Sequence, residues 1–376
     1  MRRTLLNIFF IIYATITASY TFVFLAIPKI YLGSDPISFL TGAEILKEKG
    51  GEFLYNGALQ FDYQQEIVSP LKRTWLLPFR SPPIVAAAFL PFTYFGVHFT
   101  FFFMIFLNLV VMVLFAYLSS KIFKNIKSSI IFLLSIFYFP FISTLINGQF
   151  SPLLVLLFLF IFKYCLESKY FPAGALSGLL LVKPQLFLFV PFLFFFIPKK
   201  KDFIKGLLIS VFIMLLVNIS ISGLSYLRDY PKFLLTTETH SFGSRPYQMF
   251  SLFGVAKLIF PGASNLALIL VNFVLYFITL IFFRIFSKKS SLEKTFITGI
   301  ILTILFSVHA LSHDLVILLI PILILLNYYK SLKKPHKVYL TLVVLLFFLP
   351  LTFLISVAEL GVAALILSVT LFFFSE

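Results

Sequence analysis

The sequence predicts an all-α protein that crosses a lipid bilayer about twelve times, with an amphipathic helix and a re-entrant segment in its first outer loop. Three observations carry this. Sixty per cent of the 376 residues are hydrophobic and only 12% are charged, against roughly a quarter charged in soluble domains. Apolar runs of membrane-crossing length recur along the whole chain. They are continuous rather than alternating, which fits helices and argues against a membrane β-barrel. Finally, the basic residues gather in alternate connections between those runs.

Taken in order, Arg2 and Arg3 precede an apolar run from Leu5 to Ile27. It is too long for a signal-peptide core and lacks a small-x-small cleavage site at its end, so it reads as an uncleaved first helix over about 4–27. Residues 28–81 form a polar first outer loop. Within it, Pro36 to Lys49 reads as an amphipathic helix, with Phe39, Leu40, Ala43 and Leu46 on one face and Gly50-Gly51 ending it. It is expected to lie along the bilayer surface. The charged run Glu44, Lys47, Glu48 and Lys49 reads as its solvated face. Residues 82–95 begin Pro-Pro, contain Pro91, and are short for a crossing; they read as a dip into the outer leaflet. Spans follow at 97–119, 129–146, 151–166, 171–182, 185–198, 206–222, 262–286, 295–310, 314–328, 338–357 and 360–374. The shorter ones require tilt or a thinned bilayer. Residues 223–261 form a second outer loop. The whole of 1–376 reads as a single integral membrane domain.

Charge sets the orientation. With the N-terminus inside and 82–95 not crossing, 19 of the 30 basic and four of the 14 acidic residues fall on the inner side. Eleven basic and ten acidic residues remain outside. This is the positive-inside pattern; letting 82–95 cross would move Lys121, Lys124 and Lys127 outward and break it. The net charge of +16 is thereby explained as topology facing anionic lipid, and nucleic acid is not an expected partner. The single cysteine, Cys165, excludes an internal disulfide and a multi-cysteine metal site.

This topology places the unusual polar residues near membrane boundaries on one side. Asp35 follows the first helix. Asn147-Gly148-Gln149 joins two spans. Lys183 sits between two apolar runs. Arg245 is in the second outer loop, and His309, His313 and Asp314 surround a late turn. Ionisable groups at membrane depth are costly and usually functional. Each has a structural alternative. Asp35-Pro36 is a good helix start, with Asp as N-cap and Pro at N1. Lys183 is placed where it can snorkel to the interface. Asn147-Gly148-Gln149 suits a tight turn. His309 and His313, spaced i, i+4, suit one helical face and a metal, interface polarity, or an anionic substrate.

Together these residues resemble glycosyltransferase family 87, membrane enzymes that include polyprenyl-phosphate-mannose-dependent mannosyltransferases. The resemblance runs from Asp35 to about Pro321. It is carried by Asn147-Gly148-Gln149, an apolar span, Ala173-Gly174-Ala175-Leu176-Ser177-Gly178 and then Lys183-Pro184. The acidic residue after the first helix, Tyr55-Asn56, and Pro82-Pro83 before a run ending at Pro91 add to it. The chain departs from that pattern at Arg80-Ser81, at Ser307-Val308, at Leu311 and at His313-Asp314, so the sugar and the acceptor stay open.

The resemblance implies a GT-C-like multi-helix fold with its active site on the outer face of the cell membrane. It implies inverting transfer of a hexose, such as mannose, from a polyprenyl-phosphate-linked donor to a lipid or glycan acceptor, with no nucleotide sugar and no cofactor. Asp35 is then the general base for the acceptor hydroxyl. Lys183, Arg245 and His313, with His309 beside them, are expected at the leaving phosphate; Gln149 and Asn147 are expected to orient sugar or phosphate. No Asp-x-Asp pair occurs, and metal independence is expected. A transporter or flippase of lipid-linked sugars is the rival reading. It is disfavoured because no internal repeat is evident and charges avoid the middle of the spans. A non-catalytic envelope scaffold would leave the outer cluster unexplained.

Overall fold

The computed structural model describes residues 2–27, 29–237, 245–287, 291–331 and 337–374. Lys288, Lys289, Lys333, Lys334 and Glu376 of the charge pattern, and residues 238–244 of the second outer loop, lie outside the described residues. Among the described residues the regular structure is entirely helical.

Helix α1 (Arg2–Ala26) leads into the first loop, which holds α2 (Pro36–Glu48), α3 (Gly57–Val68) and α4 (Pro83–Phe89). Then come α5 (Gly96–Ile122), α6 (Ser128–Ile136), α7 (Phe139–Asn147), α8 (Ser151–Leu166), α9 (Tyr170–Gly178), α10 (Phe189–Phe196) and α11 (Lys200–Ser222). The second loop carries α12 (Tyr226–Thr237) and α13 (Leu252–Ile259); α14 (Asn265–Ser287), α15 (Leu292–Phe306), α16 (Leu319–Ser331), α17 (Lys337–Phe348) and α18 (Ala358–Phe374) complete the chain.

Five stretches are long and apolar enough to cross a bilayer: Gly96–Ile122, Lys200–Ser222, Asn265–Ile285, Ser312–Ser331 and Lys337–Ile355. A sixth arises if α6 and α7, bent by 58° at their junction, count as one span. Of the other expected spans, Ser151–Leu166, Tyr170–Val182, Pro184–Phe196, Ala358–Thr370 and the apolar part of α1, Ile11–Ala26, are, like Pro83–Tyr94, apolar stretches of 10–17 residues, and α15 has 15 residues. Proline, which removes a backbone donor and blocks helix continuation, breaks long and short stretches alike: Pro140 opens α7, Pro184 follows Lys183, and Pro350 lies just past the end of α17. The expected twelve spans thus correspond to five or six full-length helices plus several short ones.

The core is phenylalanine. Phe158, Phe162, Phe189 and Phe296 meet edge-to-face, with ring centroids 4.8–5.0 Å apart. In lipid, helix association rests on such packing rather than on hydrophobic expulsion from water. The α7 N-terminus is anchored in two directions: the Phe139 N–H donates to the Tyr13 hydroxyl of α1 at 2.7 Å, and the Tyr138 hydroxyl donates to the Leu346 carbonyl of α17 at 3.1 Å.

Helix α2 differs from the expected surface helix. From Pro36 to Ala43 every residue is buried, polar Ser38 and Thr41 included. Helices α3 and α4 and the turn at Leu90–Tyr94 enclose it, so its apolar residues face protein rather than lipid; only its end at Lys47–Lys49 is exposed. Beside it runs an extended strap, residues 71–81, fastened by glutamines of α3. Gln65 pairs with both the N–H and the carbonyl of Arg73 (3.0 and 2.9 Å). Gln64 does the same for Leu77 (3.0 and 2.5 Å), and the Gln60 carbonyl accepts from the Phe79 N–H at 2.8 Å. The amide side chains replace the missing sheet partner of an extended segment.

Candidate functional site

The turn after α7 builds the centre of the site. Gly148 adopts a left-handed φ of 64°, and the Gly148 and Gln149 N–H groups return to the carbonyls of Leu145 and Thr144, a glycine-terminated helix end. A Cβ on Gly148 would lie 2.6 Å from Pro36. Glycine therefore serves both the backbone twist and the close seating of Pro36. Because Pro36 docks there, the Asp35 N–H donates to the Asn147 carbonyl at 2.9 Å.

Asp35 occupies the N-cap position of α2 with Pro36 at N1, but its side chain makes no capping bond. The expected cap is absent because Asp35 is itself in helical conformation (φ −65°, ψ −24°), which turns the carboxylate away from the helix end. One oxygen, Oδ2, instead accepts from the Gln149 amide at 2.5 Å. Gln149 is held in turn: its carbonyl accepts from Asn108 Nδ2 of α5 at 2.7 Å. Burial holds the Asp35 carboxyl above its usual range; the Gln149 bond and the charges of Lys183 and His309 pull it back, while Asp314 opposes them. A carboxylate so placed is a better proton acceptor near neutral pH than an exposed one.

Asp35 lines a cavity of about 920 Å³, the size of a site for a substantial ligand. Asn147, Gln149, Lys183, Arg245, His309 and His313 line the same cavity, so the fold brings all seven expected residues to one space. Their partners were not foreseen. Lys183, between two short 3₁₀ turns, forms an ion pair with Asp314. Asp314 also accepts from the Leu311 N–H at 3.0 Å and lies 3.7 Å from His313 Nε2. The lysine is thus half of a part-buried ion pair, not a lone snorkelling cation. His309 and His313 do not share a helical face: His309 precedes the turn at Ser312–Leu318 in non-helical chain. Among the described residues no group of three or more His, Cys, Asp or Glu stands ready to hold a metal. Arg245 is exposed and its guanidinium reaches the Tyr247 hydroxyl at 3.3 Å.

Two lining residues escaped the sequence reading. Arg80 lies at the end of the strap. Its Nε donates to Thr237 Oγ1 of α12 at 3.1 Å, a second nitrogen donates to the Thr237 carbonyl, and a third lies 3.4 Å from His309 Nδ1. The boundary criterion that selected Lys183 also selects Arg80, a cation directly before Ser81-Pro82-Pro83. The second is Trp75, the only tryptophan in the chain, for which composition offered no positional signal. Another part of the wall is apolar: Leu188, Ile269, Phe273 and Phe306. It is tied together by Tyr276 donating to the Leu188 carbonyl at 2.9 Å and Asn272 to the Phe306 carbonyl at 2.7 Å. Its helix α14 exposes Leu266, Leu270, Val274 and Phe277 on the outside.

The arrangement joins a buried carboxylate, several cationic groups and an apolar wall in one cavity. Such a site can remove a proton from a hydroxyl, stabilise an anionic leaving group and accommodate a chain from the membrane. In comparison with known proteins, the family model for glycosyltransferase family 87 matches residues 79–312. No curated protein and no solved structure matches the chain. Asp35 lies before the matched stretch and is joined to it through Asn147 and Gln149.

Proposed function

The chain belongs to glycosyltransferase family 87 and is a glycosyltransferase built on apolar, membrane-type helices; from that premise we propose that it transfers a hexose from a polyprenyl-phosphate-linked donor to a lipid or glycan acceptor on the outer face of the membrane. Asp35 removes the proton from the acceptor hydroxyl as that oxygen forms its bond to the anomeric carbon. The bond from the anomeric carbon to the phosphate oxygen breaks, and the polyprenyl phosphate leaves with the electron pair. One displacement inverts the anomeric centre; retention by a covalent route would call for a second carboxylate placed as nucleophile, as in glycosidases. Asp314 is already committed to Lys183.

Arg80, Lys183 and Arg245 supply positive charge for the leaving phosphate, and the His309 and His313 rings can supply hydrogen bonds. The Lys183–Asp314 pair carries little net charge, so the arginines bear more of this task than the sequence alone implied. The wall of Leu188, Ile269, Phe273 and Phe306 suits an isoprenoid chain.

The observation that supports this reading most is the convergence of Asp35, Gln149 and the cationic residues on one cavity. The test uses purified protein, a polyprenyl-phosphate mannose donor and a membrane lipid extract. Asp35→Asn should lower transfer by about 10²–10⁴-fold, the span of a general base, with expression and melting temperature unchanged. Wild-type turnover in that variant rejects the assignment.

A further inference from the structure

We infer that Trp75, with Arg73 behind it, is the acceptor subsite of this cavity, and that the group it receives is a sugar ring. The inference rests on the glycosyltransferase reading above and adds what the acceptor presents to the site.

Trp75 is 43% exposed although it lines the cavity. An indole is a large apolar surface that normally buries most of its area. Here it is left open but held still. The Arg73 guanidinium sits 4.4 Å from the ring centroid, a cation–π contact that fixes the ring. Arg73 is clamped through its backbone by Gln65, and Leu77, two residues beyond Trp75, is clamped by Gln64. A rigid, solvent-accessible aromatic surface is prepared for a partner rather than for packing.

The chemistry narrows that partner. A pyranose has one face of C–H bonds and a rim of hydroxyls. The C–H face complements the electron-rich face of an indole, and hydroxyls at the rim match the polar side chains that line the same cavity, Arg80 and Gln149 among them. An isoprenoid chain has no hydroxyls, and the purely apolar wall at Leu188, Ile269, Phe273 and Phe306 suits it better. Arg73 also donates to the Leu32 carbonyl at 2.7 Å, three residues before Asp35. The strap bearing Trp75 is therefore tied to the segment bearing the base, and a ring stacked on the indole can present a hydroxyl towards Asp35. The competing use of a boundary tryptophan is as an interfacial anchor. An anchor faces lipid, whereas this ring lines the cavity that holds Asp35 and Arg80.

Because Trp75 is the sole tryptophan, the native emission of the full-length protein reconstituted in lipid vesicles reports on this site alone. Mannotriose, maltotriose and galactotriose are titrated in turn without donor, against sorbitol at equal concentration. At least one trisaccharide should shift or quench the emission saturably while sorbitol does not. By calorimetry, Trp75→Ala should weaken that binding roughly tenfold, the scale of one aromatic stacking contact, and Trp75→Phe should retain most of it. No response to any trisaccharide overturns the inference, as does equal affinity in Trp75→Ala. Strong quenching by brominated lipid marks an interfacial anchor and also overturns it. The titration involves no transfer, so it is independent of the base assignment. Asp35→Asn should give the same emission change while transferring about 10²–10⁴-fold more slowly; an emission change in an Asp35→Asn protein with wild-type turnover would leave the subsite standing and reject the base.

Discussion

Asp35 draws its proposed role from a single neighbour. A carboxylate at a helix start normally spends itself on the helix's own N–H groups; here it accepts from Gln149 instead. That has a measurable consequence. The base must be ionised to accept a proton, and burial holds Asp35 above the ordinary aspartate value of about 3.9. Activity should therefore be lost as pH falls through a midpoint above that value. The Gln149 bond favours the charged form, so Gln149→Ala should move the acid limb of kcat/KM further up and leave the alkaline limb in place. A limb that stays put, or moves down, would separate Gln149 from the base.

At the scale of elements, the strap at 71–81 decides which side chains enter the cavity. Among the described residues it has no strand beside it, and three glutamines of α3 serve as its backbone partners. Gln64→Ala removes two hydrogen bonds to Leu77. The expected cost is about 1–3 kcal/mol, seen as a lower melting temperature and several-fold faster tryptic cleavage after Lys72 or Arg73. Asp35→Asn should leave that cleavage rate alone. A protease-resistant Gln64→Ala protein would mean that packing, not the amide ladder, holds the strap. Helix α2, buried by its neighbours from Pro36 to Ala43, is the other wall of this arrangement. Its burial explains why its polar residues Ser38 and Thr41 do not mark a water-facing side.

At the scale of the molecule, the charge bias proposes an orientation and the cavity gathers the residues it would expose. Asp35, Asn147, Gln149, Lys183, Arg245, His309 and His313, which the expected topology groups on one side, line one cavity; the side of the membrane it faces is a separate question. The orientation is open to a direct test. In a Cys165→Ala background, cysteine at exposed position 72 should react with a membrane-impermeant maleimide on intact cells, and cysteine at exposed position 201 only after the membrane is opened. The reverse pattern would place Asp35 in the cytoplasm and end the case for an outward-facing lipid-linked donor.

The sequence by itself determined the solvent, the helical class and the residues worth watching. Apolar content and run length are sums over local stretches, and ionisable groups at predicted boundaries stand out without any knowledge of their neighbours. Asp35, Asn147, Gln149, Lys183, Arg245, His309 and His313 were found in that way. Who pairs with whom was decided only by the tertiary structure. Gln149 reaches Asp35 across 114 residues and Lys183 reaches Asp314 across 131, distances over which periodicity and spacing carry no information. Arg80 and Trp75 depend on the path of an extended strap that follows no period, and the burial of α2 depends on what folds over it. Composition is local and additive, whereas a site is made of contacts, and contacts between distant residues exist only once the chain has packed.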